Sequence, residues 1–148
     1  MKKVTPALVL AVGCLMPLAL SACGSGSGDA ASNSNEPADV VPIKGTNLSE
    51  VKLTAQAAKR VGIQTAAIQQ VAAKGARERI PYSAVLYDAD GKTFAYTNPK
   101  RLVYVRAPIT VADIKGNSAL LSSGPPVGTT IVTVGAPELY GTEFGVEE

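Results

Sequence analysis

The sequence predicts a mainly β domain, a small β-barrel or β-roll of six or seven strands with one short helix. Apolar residues alternate with other residues along several segments, most clearly along residues 102–111. Turn-forming Gly, Pro, Asn and Asp residues interrupt these segments at short intervals. Both features are typical of small all-β domains.

The first 22 of the 148 residues have the features of a secretory signal peptide. Lys2 and Lys3 form a positive start, an apolar run follows over residues 7–20, and small residues precede Cys23. The run is shorter than the stretch of about 20 apolar residues that a membrane-spanning helix needs. The sequence therefore predicts export across the inner membrane.

The end of this segment, Leu20-Ser21-Ala22-Cys23, resembles the lipobox of bacterial lipoproteins. In that motif the cysteine thiol is acylated, so the resemblance implies that lipid such as palmitate is attached to Cys23. Two or more acyl chains anchor a protein durably in a membrane. We expect the chain to be held on the outer face of the cell membrane or the periplasmic side of the envelope. The alternatives are an ordinary signal peptide with an incidental cysteine and an uncleaved anchor.

Residues 23–49 are predicted to be a flexible tether, and residues 50–148 to be the folded domain. The tether begins with alternating Gly and Ser and is rich in Ala, Asn and Asp. Such a composition buries too little apolar surface to order the chain.

The domain is predicted to begin with a short strand at residues 51–53 and a helix over Ala55–Val61. Thr54 is a suitable N-cap, Leu53 is placed to pack against Ala58, and Gly62 suits the left-handed residue that ends a helix.

The remaining strands are predicted at residues 63–71, 80–87, 92–97, 102–111, 118–121 and 130–134. Asp90-Gly91 is the tip of a predicted hairpin, and residues 137–140 are predicted to form one helical turn. Because proline cannot donate to a ladder, Pro81 and Pro108 predict edge positions or bulges.

Composition argues against several kinds of chemistry. The chain has no His, its methionines and Cys14 lie in the predicted signal, and only Cys23 remains beyond it. A Ser-His or Cys-His nucleophile and a transition-metal site of His, Cys or Met are thereby excluded from the mature chain. Twelve basic and twelve acidic residues remain after the signal, a balance that argues against a nucleic-acid partner. We expect no cofactor and no catalysis.

Several acidic residues are candidate sites. Asp88, Asp90 and Asp113 lie in predicted turns. They could form a paired-carboxylate site or a calcium-binding loop. We favour the simpler interpretation that they stabilise the turns through backbone hydrogen bonds. Glu143 and the two glutamates that follow it are predicted to form a solvated end.

A docking surface is a further candidate, formed by Arg77, Arg79, Arg101, Tyr104 and Arg106. The competing interpretation is scattered solvated charge on the outer faces of strands. Tyrosine is enriched at interface hot spots, but it also packs in protein cores. Four tyrosines could therefore belong either to an interface patch or to the core: Tyr82, Tyr87, Tyr96 and Tyr104.

The domain resembles the membrane-proximal domain of periplasmic adaptor (membrane-fusion) proteins of RND-type efflux pumps, in a truncated lipoprotein form. The resemblance rests on the order and spacing of several segments, which are Val51-Lys52-Leu53-Thr54, Gly62-Ile63-Gln64-Thr65, residues 80–86, residues 91–96, residues 106–111 and residues 128–136. Full adaptors carry a lipoyl-like module, a helical hairpin and a barrel between the two halves of this domain. Here only residues 69–79 separate them.

The resemblance implies a lipid-anchored, non-catalytic adaptor-like domain of the bacterial envelope. Its partners would be membrane lipid, through acylated Cys23, and a transmembrane efflux or transport complex. The alternative function is a free-standing solute-binding or envelope-sensor lipoprotein, which would need a concave pocket with a few polar groups.

Overall fold

The computed structural model describes residues 36–73 and 76–145. Within them the chain forms eleven strands, two α-helices and one 3₁₀ turn. In chain order these are β1 (Ala38–Pro42), β2 (Ser49–Leu53), α1 (Ala55–Val61), β3 (Gln64–Ala67), β4 (Gln69–Ala73), β5 (Ala76–Pro81), the 3₁₀ turn (Tyr82–Ala84), β6 (Leu86–Tyr87), β7 (Thr93–Lys100), β8 (Val103–Pro108), β9 (Thr110–Lys115), β10 (Ser118–Ser123), β11 (Thr130–Val134) and α2 (Ala136–Phe144).

The strands form two antiparallel sheets. The larger has seven strands in the order β1-β2-β8-β7-β11-β3, with β6 added against β7, and the smaller has the order β4-β5-β10-β9. The prediction of a mainly β domain is confirmed. The prediction of six or seven strands is wrong, since eleven occur in the described residues, and no closed barrel is found among them.

The chain passes from the large sheet to the small one at two isoleucines. Ile68 lies between β3 and β4, and Ile109 lies between β8 and β9. Both side chains are buried, with 2% and 6% exposed, and both pack in the same apolar cluster. The single strands predicted at residues 63–71 and 102–111 are therefore each two strands in different sheets.

A similar break lies in the segment predicted as one strand over residues 80–87. Tyr82–Ala84 forms a 3₁₀ turn in which Val85 donates its N–H to the Tyr82 carbonyl. Pro81 and Pro108 are the last residues of β5 and β8, which are internal strands. The prediction of edge or bulge positions was wrong, because a strand that ends at its proline needs no further ladder donor there.

The helix α1 confirms its sequence signals. Thr54 accepts a hydrogen bond from the Ala57 N–H at 3.1 Å, and Gly62 closes the helix at φ 73°. Leu53 lies in the core, and Ala58 packs against the same cluster.

The second helix, α2, extends the single helical turn predicted there to nine residues, so the described residues hold two α-helices rather than one. Pro137 stands in its first turn, Glu138 places a carboxylate near its N-terminus, and Gly145 ends it in the left-handed region.

The apolar core consists of two clusters. The first joins the large sheet to both helices and comprises Val51, Leu53, Ala57, Phe94, Tyr96, Tyr104, Val132, Ala136 and Leu139. The second lies where the chain changes sheets and comprises Ile68, Ile80, Ala84, Val85, Ala95, Ile109, Ala119, Leu121 and Ile131.

The N-terminal boundary of the folded domain differs from the predicted one. Residues 23–49 were predicted to be a tether, but Ala38–Pro42 forms β1, which pairs with β2 from Ala38↔Leu53 to Pro42↔Ser49. Two adjacent valines, Val40 and Val41, give this segment the β-branched character that a strand favours. Cys23 lies outside the described residues.

Candidate functional site

A buried carboxylate joins α2 to the large sheet. The Glu143 side chain is 3% exposed and accepts a hydrogen bond from the Tyr96 hydroxyl at 2.6 Å. Arg106 Nε lies 2.8 Å from Glu143 Oε2 and 3.0 Å from Oε1. The three residues come from α2, β7 and β8, so the cluster connects parts of the chain that are distant in sequence.

Two aromatic rings lie against the Arg106 guanidinium. Its Cζ lies 5.3 Å from the Phe94 ring centre and 4.7 Å from that of Phe144. Tyr140 contacts both rings, at centroid distances of 5.3 and 4.7 Å. A guanidinium over aromatic faces is stabilised by cation–π attraction, which is strongest where water is excluded.

Burial and the neighbouring Glu143 carboxylate together raise the pKa of Tyr96 far above its usual value. The phenol therefore stays protonated and serves as a hydrogen-bond donor. Glu143 is engaged by one neutral and one cationic donor, so the cluster satisfies a buried charge and fixes α2 on the sheet.

Two residues of the predicted docking surface are not free surface groups: Tyr104 is in the core and Arg106 is largely buried in an ion pair. Tyr104 is 3% exposed and packs in the first cluster, and the Arg106 side chain is 16% exposed and engaged by Glu143. Their assignment to an exposed surface was wrong. Arg106 contacts Glu143 and Phe144 of α2, whereas Tyr104 packs in the first apolar cluster.

The other predicted docking residues do not form one patch with them. Arg79 is exposed on β5 of the small sheet, whereas Arg101 is exposed in the turn between β7 and β8 of the large sheet. Arg77 lies in β5, and its side chain is outside the described part of the structure.

Sequence reasoning missed Glu143, which was predicted to belong to a solvated end. A signal for it exists in the spacing of α2. Ala136, Leu139 and Glu143 follow one another at three and four residues and so share one helix face, and the first two are fully buried.

The four tyrosines divide evenly between core and surface. Tyr96 and Tyr104 are buried, whereas Tyr82 and Tyr87 are 41% and 52% exposed. The neighbouring Tyr82 side chain raises the pKa of Tyr87. These two exposed tyrosines are called the Tyr82–Tyr87 pair.

The aspartates of the β6–β7 hairpin act in the turn. Asp88 Oδ1 accepts from the backbone N–H groups of Asp90 at 3.0 Å and of Lys92 at 2.8 Å. This is the local bonding for which turns select aspartate. Within residues 36–73 and 76–145, no group of three or more His, Cys, Asp or Glu is arranged to hold a metal ion.

Neither α1 nor α2, the two helices of the described residues, has the length and apolar character that a membrane crossing requires.

Comparisons with known proteins found no matching protein family, no matching curated protein and no matching solved structure.

Proposed function

We propose that this chain is a lipid-anchored, non-catalytic binding domain of the bacterial cell envelope, of the adaptor type, that associates with a transmembrane efflux or transport system. In this proposal the domain is a truncated form of the β-roll that membrane-proximal adaptor domains contain. Acylated Cys23 keeps it near the membrane, and the folded residues supply the contact surface.

The main support for this proposal is that strands from both halves of the chain combine in one sheet. The large sheet takes β1, β2 and β3 from the first half and β7, β8 and β11 from the second. β11 pairs with β3 through Thr130↔Ala67 and Val132↔Thr65, and β2 pairs with β8 through Val51↔Tyr104. A domain built from both chain ends is what the adaptor resemblance implies.

The segment between the two halves is short. β4 and β5 pair from Gln69↔Arg79 to Ala73↔Ala76 and form the hairpin that stands where full adaptors carry their long insertions. Because β5 also pairs with β10, the hairpin is part of the fold rather than a loose connection. A domain that lost its middle modules would be expected to close in this way.

The Tyr82–Tyr87 pair is the contact surface that we propose. Tyrosine supplies a large, rigid ring and a polar hydroxyl, the combination that is enriched at interface hot spots. Both rings are exposed, and they lie on one short segment that precedes the turn held by Asp88.

Co-purification from membranes tests the function. A tagged full chain is expected to retain a membrane transport protein, identified by mass spectrometry. The double variant Tyr82→Ser/Tyr87→Ser is expected to lose most of it, since hot-spot tyrosines contribute about 2 kcal/mol or more each.

The matched control is Ile114→Ser/Val127→Ser, which removes two other exposed apolar side chains of 45% and 47% exposure. It is expected to retain the partner. Absence of any transport protein above the level of a Cys23→Ser chain would contradict the proposal, and equal loss in both double variants would contradict the assigned surface.

A further inference from the structure

A small cavity opens on the smaller sheet, beside the place where the chain enters it. Its volume is about 280 Å³, and it is lined by Ala66, Ala67, Gln69, Arg79, Ile80, Pro81 and Ser118. The lining comes from β3, β4, β5 and β10, so residues from both sheets form one concave site.

The side chains of this cavity offer several hydrogen-bond donors. Arg79 bonds through its guanidinium to the Gln69 Oε1 atom, which orients the charge with a neutral partner rather than a carboxylate. That bond leaves the Gln69 amide N–H₂ available as a donor, and Ser118 adds a hydroxyl. No acidic residue belongs to the lining.

The backbone of β3 supplies one more donor. Ile68 donates its N–H to Thr129 and accepts from Gly128, both at 2.9 Å, so its polar groups face the β11 side. Because antiparallel pairing alternates, the N–H of Ala67 is directed away from β11. β3 ends the strand order of the large sheet, so this N–H lies at a sheet edge.

Acidic groups near Arg79 in sequence or space do not neutralise the site. Glu78 precedes Arg79 on β5, and alternation places it on the opposite face of the sheet. Asp113 on β9 pairs with Leu120 on β10, and Leu120 pairs with Arg79 on β5. The backbone of Asp113 is therefore two strands from that of Arg79, a distance of about 10 Å. Asp113 is also bridged to Lys115 at 3.6 Å.

The walls of the cavity limit the size of its ligand. Two alanines and one serine leave the space open. Ile80 borders the cavity, but alternation along β5 turns its buried side chain to the core face, opposite Arg79. The volume lies just below the range for drug-sized ligands, which begins at about 300 Å³, so only a compact ligand fits.

We propose that this cavity binds a small oxyanion, the carboxylate or phosphate group of a compact solute. Arg79 engages two of its oxygens, and the Ala67 N–H, Gln69 amide and Ser118 hydroxyl complete the set of donors. Guanidinium groups match carboxylates and phosphates in this two-point manner. The inference goes beyond the proposed transporter association and does not depend on it.

Titration with two anions tests this site and distinguishes the two chemistries. The full chain in non-ionic detergent is titrated with inorganic phosphate and, separately, with succinate, at an ionic strength held constant with sodium chloride. The readout is the set of backbone amide NMR shifts. Saturable shifts are expected at Ala67, Gln69 and Ser118 with at least one anion, which identifies the preferred group.

Three variants make the result specific. Arg79→Gln is expected to weaken binding about tenfold or more, since hydrogen bonds to charged groups are the strong ones. Ser118→Leu, which fills the cavity and leaves Arg79 in place, is expected to abolish the shifts. Arg101→Gln removes the same charge from an exposed turn outside the cavity and is expected to change the affinity less than about twofold.

Several results would overturn the proposal. The first is the absence of saturable shifts with both anions. The second is an Arg79→Gln variant that binds the anion as tightly as the wild-type chain. The third is an Arg101→Gln variant whose affinity falls as much as that of Arg79→Gln. Well-dispersed spectra of each variant establish that it is folded, so that loss of binding is not loss of structure.

Discussion

Glu143 and Arg106, 37 residues apart in sequence, form an ion pair of 2.8 Å beneath a cover of aromatic rings. The pair fixes the last helix on the middle of the large sheet. Its carboxylate is almost fully buried, so the fold depends on all of its donors being in place.

Arg106→Met is expected to destabilise the domain by about 3–5 kcal/mol, because it leaves the buried Glu143 carboxylate without its cation. Chemical denaturation at pH 7 measures the effect. The matched control is Lys92→Met, which breaks the exposed pair with Asp90, where both side chains are about three-quarters exposed. That change is expected to cost less than about 1 kcal/mol. Equal effects of the two variants would contradict the importance of the buried pair.

Tyr96 makes the fold sensitive to alkaline pH. Its folded-state pKa is raised above the unfolded value of 10.0, so the stability that it contributes is present below pH 10 and is lost as pH rises further. In that range the free energy of unfolding is expected to fall by about 1.4 kcal/mol per pH unit for this tyrosine.

The variant Tyr96→Phe is expected to reduce this alkaline slope and to lower stability at pH 7, because Glu143 loses a donor. Thr97→Val, which removes a part-buried hydroxyl donor of the same strand that does not titrate, serves as the control. Unfolding curves at pH 7, 10 and 11 provide the measurement. An alkaline slope that is identical in wild type and Tyr96→Phe would contradict the role of the buried phenol.

Gly135 and Gly128 offer a comparison between backbone strain and packing. Both have φ of 87°, but a Cβ on Gly128 meets nothing within 4 Å, whereas one on Gly135 meets Ile63 and lies 2.9 Å from Val61 Cγ1. Gly128→Ala is expected to cost about 1–2 kcal/mol from backbone strain alone. Gly135→Ala is expected to cost about 1–3 kcal/mol more, because it overpacks the contact between α1 and the start of α2.

Melting temperatures of the two glycine variants measure that difference. If both lose the same stability, the packing of α1 against Gly135 contributes nothing beyond the left-handed backbone.

Cys23 is expected to be acylated in the cell. The wild-type chain should incorporate radioactive fatty acid and remain with the membrane fraction, whereas Cys23→Ser should do neither, since a single residue provides the attachment. Persistent labelling of Cys23→Ser would contradict the predicted lipid anchor.

Local signals were enough to predict the elements that local chemistry determines. The cap of α1 by Thr54, its end at Gly62 and the hairpin that Asp88 stabilises were all predicted and are all present. In each case the atoms that form the structure lie within a few residues of one another.

Elements that depend on distant contacts were predicted less well. Nothing local distinguishes Ile68 or Ile109 from an ordinary strand residue, because the change of sheet depends on which strands are already paired on each side. The burial of Glu143 depends on Arg106 and Tyr96, which come from other strands. A glutamate near a chain end is most often solvated, and only its spacing from Leu139 indicated otherwise.

Site-specific photo-crosslinking in living cells tests the proposed function most directly. A photoreactive residue is placed at Tyr87 and, as the control, at Val127, two side chains of 52% and 47% exposure. The proposed function predicts a light-dependent adduct from position 87 with a membrane transport protein, weak or absent from position 127 and reduced by Cys23→Ser. No adduct with a transport protein from position 87, or equal adducts from both positions, would contradict it.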